Sequence, residues 1–181
     1  MRPIKIGLPP LATTAAATFV LDQLTKWAVV FGLDLRNRGE IDVLPPLLTF
    51  RMAWNEGVNF GLLSDNGDLM RWVLIAVALA ISAWVFIWVR RENPATPGQI
   101  AAGLLIGGAL GNVVDRLAYG AVADFLNMSC CGIENPYAFN IADIAIFVGA
   151  IGLVIFTGKP RAGKPTPGKP SPKPGSPRTP R

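Results

Sequence analysis

The chain has 181 residues, 51% of them hydrophobic and only 16% charged, with a mean hydropathy of +0.39. A soluble domain carries roughly 25% charged residues, so a water-soluble fold of this length could not cover so much apolar surface. Disorder over most of the chain is excluded as well, since it needs low hydrophobicity and high net charge. The absence of histidine excludes Ser-His-Asp and Cys-His machinery, makes a zinc site improbable and leaves no cofactor or metal to expect. The two cysteines, Cys130 and Cys131, are adjacent, which excludes a disulfide framework. An all-α integral membrane protein remains.

Four stretches meet the requirement of about 20 mostly apolar residues for a bilayer-crossing helix. They are 11–33, interrupted by Asp22 and Lys26; 70–89; 99–119; and 138–157, with Asp143 as its single charge. Four spans put both termini on one side, and the distribution of Lys and Arg selects that side. Arg2 and Lys5, then Arg90 and Arg91, then seven basic residues after the fourth span fall together. The opposite side has Arg36, Arg38 and Arg51. The termini are therefore expected in the cytoplasm, with the first and third loops facing out. A cleaved signal peptide is a second reading of the N-terminus, from its basic residues and the small residues near Ala15–Ala17. Against it, apolar character resumes after Lys26 and continues to Leu33.

Two domains follow: a transmembrane unit over 1–157 and a tail over 158–181. The tail holds half of the sixteen prolines among Lys, Arg, Gly, Ser and Thr, a composition that cannot build a core. Extended cytoplasmic chain drawn to anionic headgroups is expected. In the first outer loop, Phe50, Met52 and Trp54 alternate with polar or small residues at strand period, and Asn55-Glu56-Gly57 reads as a turn. A small β element is expected there.

Ionisable residues inside spans are costly and mark functional candidates. Asp22 and Lys26, four apart, share a helix face and can pair. Gly103, Gly107 and Gly111 leave a groove for a close helix neighbour. Asn112, Asp115 and Arg116 continue span three toward its outer end. Asp124 stands in an apolar loop segment at the membrane surface, where desolvation would raise its pKa. Asn140 and Asp143, three apart, share a face, with Asp143 about 6–8 Å inside the fourth span counted from 138. Asp124 and Asp143 thus meet at the outer interface. Two carboxylates brought together tend to share a proton, one acting as base on a water and the other as acid. That is aspartic-protease chemistry. Paired intramembrane carboxylates serve proton-coupled transport equally well. Cys130 and Cys131 have no base to activate them and read as incidental.

Five ordered blocks carry a resemblance. They are Asp22-Gln23-Leu24-Thr25-Lys26; Asn55-Glu56-Gly57-Val58-Asn59-Phe60-Gly61; Gly107 to Arg116; Val122-Ala123-Asp124-Phe125; and Phe139-Asn140-Ile141-Ala142-Asp143. Over residues 15–157 the chain resembles the lipoprotein signal peptidases, or signal peptidase II. The resemblance implies four transmembrane helices, no cofactor, and an outer-face dyad of Asp124 and Asp143. It implies a diacylglyceryl-modified prolipoprotein as substrate, cut just before the lipid-modified cysteine, and inhibition by globomycin. Asn112, Arg116 and Asn140 would orient substrate and dyad, with Asn55 helping. Asp22, Lys26 and Asp115 would support the polar network. Membrane lipids are the other expected partners; nucleic acid is not one, and a monomer is expected. Two departures are Ile144, where a small polar residue would be usual, and the Pro/Lys tail. A proton- or ion-coupled transporter using the same carboxylates is the rival reading. It would need polar residues in the inner halves of the spans, which are nearly bare. A membrane scaffold would explain the glycine groove but not the two aspartates.

Overall fold

The computed structural model describes residues 9–57 and 67–157. The expectations for Arg2, Lys5, Val58 to Gly61 and the 158–181 tail lie outside the described residues. In chain order the elements are helix α1 (Pro9–Lys26), a π-helical segment (Trp27–Gly32), the short helix α2 (Leu35–Arg38), strands β1 (Glu40–Leu44) and β2 (Leu48–Asn55), helices α3 (Gly67–Glu92) and α4 (Thr96–Tyr119), strand β3 (Val122–Asn127) and helix α5 (Ile141–Thr157).

Both α3 and α4 are long and apolar enough to cross a membrane, and α5 is a shorter apolar helix. Large side chains stand out from them: Trp84 is 69% exposed, Phe147 68% and Val154 78%. A surface of that kind suits lipid rather than water. Asn93, in the left-handed region at φ 46°, turns the chain after α3, and Pro97 opens α4, so the two form a tight antiparallel hairpin. Leu11, Val85, Val89, Ala102, Leu105 and Ile106 form the apolar core between α1, α3 and α4.

Helix α4 is the central element, and its glycines explain why. A Cβ on Gly107 would lie 2.5 Å from the carbonyl oxygen of Ala15 in α1. A Cβ on Gly108 would lie 2.5 Å from that of Ala142 in α5. Adjacent residues thus let two helices approach α4 from different sides, as small residues do in membrane bundles.

A buried ion cluster joins the same helices. The Lys26 ammonium contacts Asp22 Oδ2 at 2.8 Å, Asp115 Oδ2 at 2.7 Å and Asn112 Oδ1 at 3.3 Å. Its three N–H donors match these three acceptors. Asp22 Oδ1 also accepts the backbone N–H of Ala142 at 3.0 Å, and Asp115 Oδ2 accepts that of Ala123 at 3.1 Å. The cluster therefore ties α1 and α4 to the first turn of α5 and to β3.

Four expectations need correction. The first span is not one α-helix over 11–33: after Lys26 it widens to a π-helical segment in which Leu33 N–H donates to Ala28 O at 2.8 Å, with Val29 and Val30 buried. The β element is not confined to the first loop. It is an antiparallel sheet of order β1-β2-β3 whose third strand comes from far along the chain. Asp124 stands on that strand, not in a loop. Strand β3 is buried on both faces, so it has no alternation to betray it. The fourth helix begins at Ile141 rather than 138, so Asp143 sits in its first turn, nearer the end than counting from 138 gave. Along β2 the alternation breaks at a bulge between Phe50 and Ala53. Phe50 and Met52 pack with Val29, Leu35 and Phe125, whereas Trp54 packs on Tyr119 at 5.6 Å.

Two stability outcomes follow, both read by thermal unfolding in detergent micelles. Gly107→Val forces α1 away from α4 and should destabilise by about 1–3 kcal/mol; an unchanged midpoint would contradict the close packing. Lys26→Met strands two buried carboxylates and should cost about 3–5 kcal/mol. Adding Asp22→Asn and Asp115→Asn should recover part of that loss, and a single variant as stable as the parent would refute the cluster's role.

Candidate active site

Register in the sheet positions Asp124. Strand β3 runs antiparallel to β2, with Asp124 opposite Ala53 and Val122 opposite Asn55. Residues on a diagonal of this kind are within reach for long side chains. The Asn55 amide crosses it and donates to Asp124 Oδ2 at 3.1 Å. Asn55 Oδ1 accepts the N–H of Gly57 at 3.0 Å, which orients the amide so that its NH2 faces the carboxylate.

Helix α5 starts with a reciprocal cap that positions Asp143. Asn140 Oδ1 accepts the Asp143 N–H at 2.9 Å, and Asp143 Oδ2 accepts the Asn140 N–H at 3.3 Å. This is the geometry of a capping box, here formed by Asn and Asp three residues apart. The other Asp143 oxygen, Oδ1, accepts Asn112 Nδ2 at 2.9 Å.

Asn140 is fully buried and links the two carboxylates. Its side-chain NH2 donates to Asp124 Oδ1 at 2.6 Å and to Asn112 Oδ1 at 3.2 Å. With two hydrogens only, the 3.5 Å contact to Ala123 O is secondary. Asn112 is held in turn by the ion cluster. Its Oδ1 receives Lys26 and Asn140, so its NH2 must face Asp143. Asp124 and Asp143 are thus surrounded by neutral amide donors, each oriented from behind.

Electrostatics separate the two groups from an ordinary surface pair. Asp124 is pushed up from 3.8 to about 6, first by burial and then by the neighbouring Asp143 charge. The hydrogen bonds from Asn55 and Asn140 and the Lys26 charge oppose that rise. The Arg116 charge interacts with Asp143, Asp124 and Asp115. Arg116 makes no ion pair within 4 Å among the described residues. Its Nη1 donates to Asn112 O at 3.4 Å, and its buried Nε has no partner. It thus approaches the carboxylates with spare donors.

Every residue singled out from the sequence falls in one connected set: Asp124, Asp143, Asn55, Asn112, Arg116 and Asn140 around the carboxylates, with Asp22, Lys26 and Asp115 behind them. Gln23 was not singled out. Its Nε2 donates to Asp115 Oδ1 at 3.0 Å and also contacts Asp22 Oδ2 at 3.2 Å and Gly111 O at 3.3 Å. A polar amide inside an apolar span was the available signal. Asn127 was also passed over. It closes the segment between β3 and α5 by donating to Asn135 O at 2.7 Å and Tyr137 O at 2.9 Å. Ile144 is 43% exposed and carries no part of the polar set. Cys130 and Cys131 are free and exposed. No group of three or more His, Cys, Asp or Glu side chains able to hold a metal ion occurs among the described residues.

Known proteins share this arrangement of sequence. The family model for signal peptidase (SPase) II matches residues 14–158. The lipoprotein signal peptidase of Methylobacterium radiotolerans is 41% identical over 160 residues, covering 88% of this chain and 90% of its own length. That of Neisseria meningitidis serogroup C is 40% identical over 141 residues, covering 78% and 84%. A solved structure described as a bacterial membrane enzyme, determined by the in meso method at 2.3 Å, is 26% identical, with a TM-score of 0.67 over 88% of this chain and 94% of that one. With a family match over most of its length and relatives at this level of identity, the chain belongs to the lipoprotein signal peptidases, the signal peptidase II family of bacterial membrane peptidases.

Proposed function

We propose that this peptidase is an aspartic endopeptidase that cuts diacylglyceryl-modified prolipoproteins just before the lipid-modified cysteine, with Asp124 and Asp143 as its catalytic pair. It would act as a monomer in the bacterial inner membrane. In this reading 1–157 forms four spans, α1 with its π segment, α3, α4 and α5, with both termini cytoplasmic and the sheet on the outer face. The 158–181 tail is a separate cytoplasmic extension. The observation that carries the reading is the shared partner Asn140, bonded at once to Asp124 and to Asp143.

The chemistry follows from two nearby carboxylates that hold one proton between them. The ionised carboxyl takes a proton from a water as that water attacks the scissile carbonyl carbon. The protonated one gives its proton to the carbonyl oxygen. A neutral tetrahedral diol forms, and the pair again holds one proton. Collapse returns a proton from the diol to one carboxylate while the other protonates the departing amine of the cysteine. Neutral amide donors suit this exchange. They orient both carboxyls directly, while the positive charges of Arg116 and Lys26 act on them without an ion pair within 4 Å among the described residues. Arg116 offers its unused donors to the substrate backbone beside the pair. Substrate geometry is consistent with this placement. A cysteine anchored by two acyl chains keeps the bond before it at the membrane surface, and the sheet end of the bundle is where the carboxyls lie.

The polar groups argue against a transport path. The charged side chains of α1, α4 and α5, which are Asp22, Lys26, Asp115, Arg116 and Asp143, gather at the sheet end, whereas the interior of α3 offers only Ser82.

Three outcomes test the proposal. Asp124→Asn and Asp143→Asn should each abolish cleavage of a diacylglyceryl prolipoprotein in a gel-shift assay, by at least about 10³-fold given what removal of a reacting group costs, while parent cleavage is blocked by globomycin. Retained cleavage in either variant would exclude the pair. For pH, the folded Asp124 releases its proton near 6, so kcat/KM should fall as pH rises beyond that value and the pair loses its shared proton. A rate still rising from pH 6 to 9 would contradict this. For stability, a carboxyl raised in the fold binds a proton there that the unfolded chain releases near 3.8. Its contribution is therefore greatest below about 4 and declines as pH climbs to about 6. Asp124→Asn should remove that decline from thermal unfolding measured across the window.

A further inference from the structure

A cavity of about 250 Å3 opens next to the Lys26 cluster and is separate from the carboxylate pair. Its floor is polar, with Lys26, Asp115 and Gln23, and its walls are aromatic: Trp27, Phe31, Trp54 and Tyr119. Asp124, Asp143, Asn112 and Asn140 do not line it. Tyr119 is the middle ring, 6.2 Å from Phe31 and 5.6 Å from Trp54, both tilted, so the three form one continuous wall. All four aromatic side chains are exposed, Trp27 at 66%.

The floor selects the ligand. Asp115 lines the cavity beside Lys26, whose charge is met by Asp115 and by Asp22 behind it. An anion gains nothing here, because the three Lys26 N–H groups are already spent on Asp22, Asp115 and Asn112. A primary ammonium fares little better. It would lose water from three N–H groups, and Gln23, Lys26 and the Ala123 N–H already use three of the roughly four acceptor sites on Asp115, too few to replace that water. A quaternary ammonium has no N–H to satisfy and is held by aromatic faces and by field alone. Outside the cavity, Val20, Leu21 and Leu24 stand exposed along α1 just before Trp27 and offer an apolar track.

We propose that this cavity binds the quaternary ammonium of a choline-type phospholipid headgroup, with the acyl chains along Leu21 and Leu24. The proposal rests on the reading above only in setting the sheet end at the membrane surface.

Native mass spectrometry of the detergent-purified full chain tests it. The protein is offered phospholipids of identical acyl chains bearing choline, ethanolamine or glycerol. The choline lipid should be retained about fivefold or more over the other two, the range expected of a desolvated cation on aromatic faces. Tetramethylammonium chloride should displace it. Trp27→Leu and Tyr119→Leu should each erase the preference while the thermal midpoint stays at the parent value. Equal retention of the three lipids, or a preference that survives both substitutions, would overturn the proposal. Tetramethylammonium binding without any lipid preference would overturn the lipid assignment. Lipid retention is read without turnover, so failure here is distinct from failure of the peptidase assay.

Discussion

The Lys26 ammonium is a single charge on which four segments of the chain converge. Burying a cation is costly unless every donor is met, and here Asp22, Asp115 and Asn112 meet all three. The carboxylates that neutralise it then use their remaining lone pairs on backbone N–H groups of Ala123 and Ala142. Those two alanines precede Asp124 and Asp143 by one residue each. The ion cluster thus fixes the backbone beside both carboxyls, and through Asn112 it also sets the amide that faces Asp143. Packing and electrostatics act together. A Cβ on Gly111 would sit 2.5 Å from Asp22 Oδ2, so glycine there makes room for the charge.

Much of this was readable from spacing. Asp22 and Lys26 four apart, glycines at intervals of four and Asn140 three before Asp143 each place side chains on one helix face, and each pair or groove occurs as a contact. What escaped did so for physical reasons. Strand β3 is six residues, buried on both faces, and its apolar run carries no period. Its partner β2 lies some seventy residues earlier, and no local pattern encodes that pairing. The β2 bulge shifts the inward face between Met52 and Trp54, so the alternation read from Phe50 and Met52 does not carry through to Trp54. Gln23 sits next to Asp22, yet a long flexible amide reaches acceptors that helix-face counting does not connect.

The division of labour between charged and neutral partners recurs through the site. Lys26, Asp22 and Asp115 lie behind, where they hold helices together, and uncharged amides contact the two carboxyls. Asn140 shows why an amide suits the front: it offers donor and acceptor at once, starting a helix with its oxygen and holding Asp124 with its nitrogen. Aspartate would repel both carboxyls, and a lysine would pin them as anions.

The segment from Met128 to Phe139 joins the two carboxyl-bearing elements and is closed at its base against β3. Asn127 ties its base to Asn135 and Tyr137, and Phe139 pairs back onto Leu126. The turn at Cys130–Ile133, with left-handed Cys131 and Gly132, therefore hangs beyond a closed neck. Two exposed thiols at such a tip form a natural attachment point. A fluorophore or spin label there would report on the orientation of the enzyme at the membrane from a site outside the carboxyl pair.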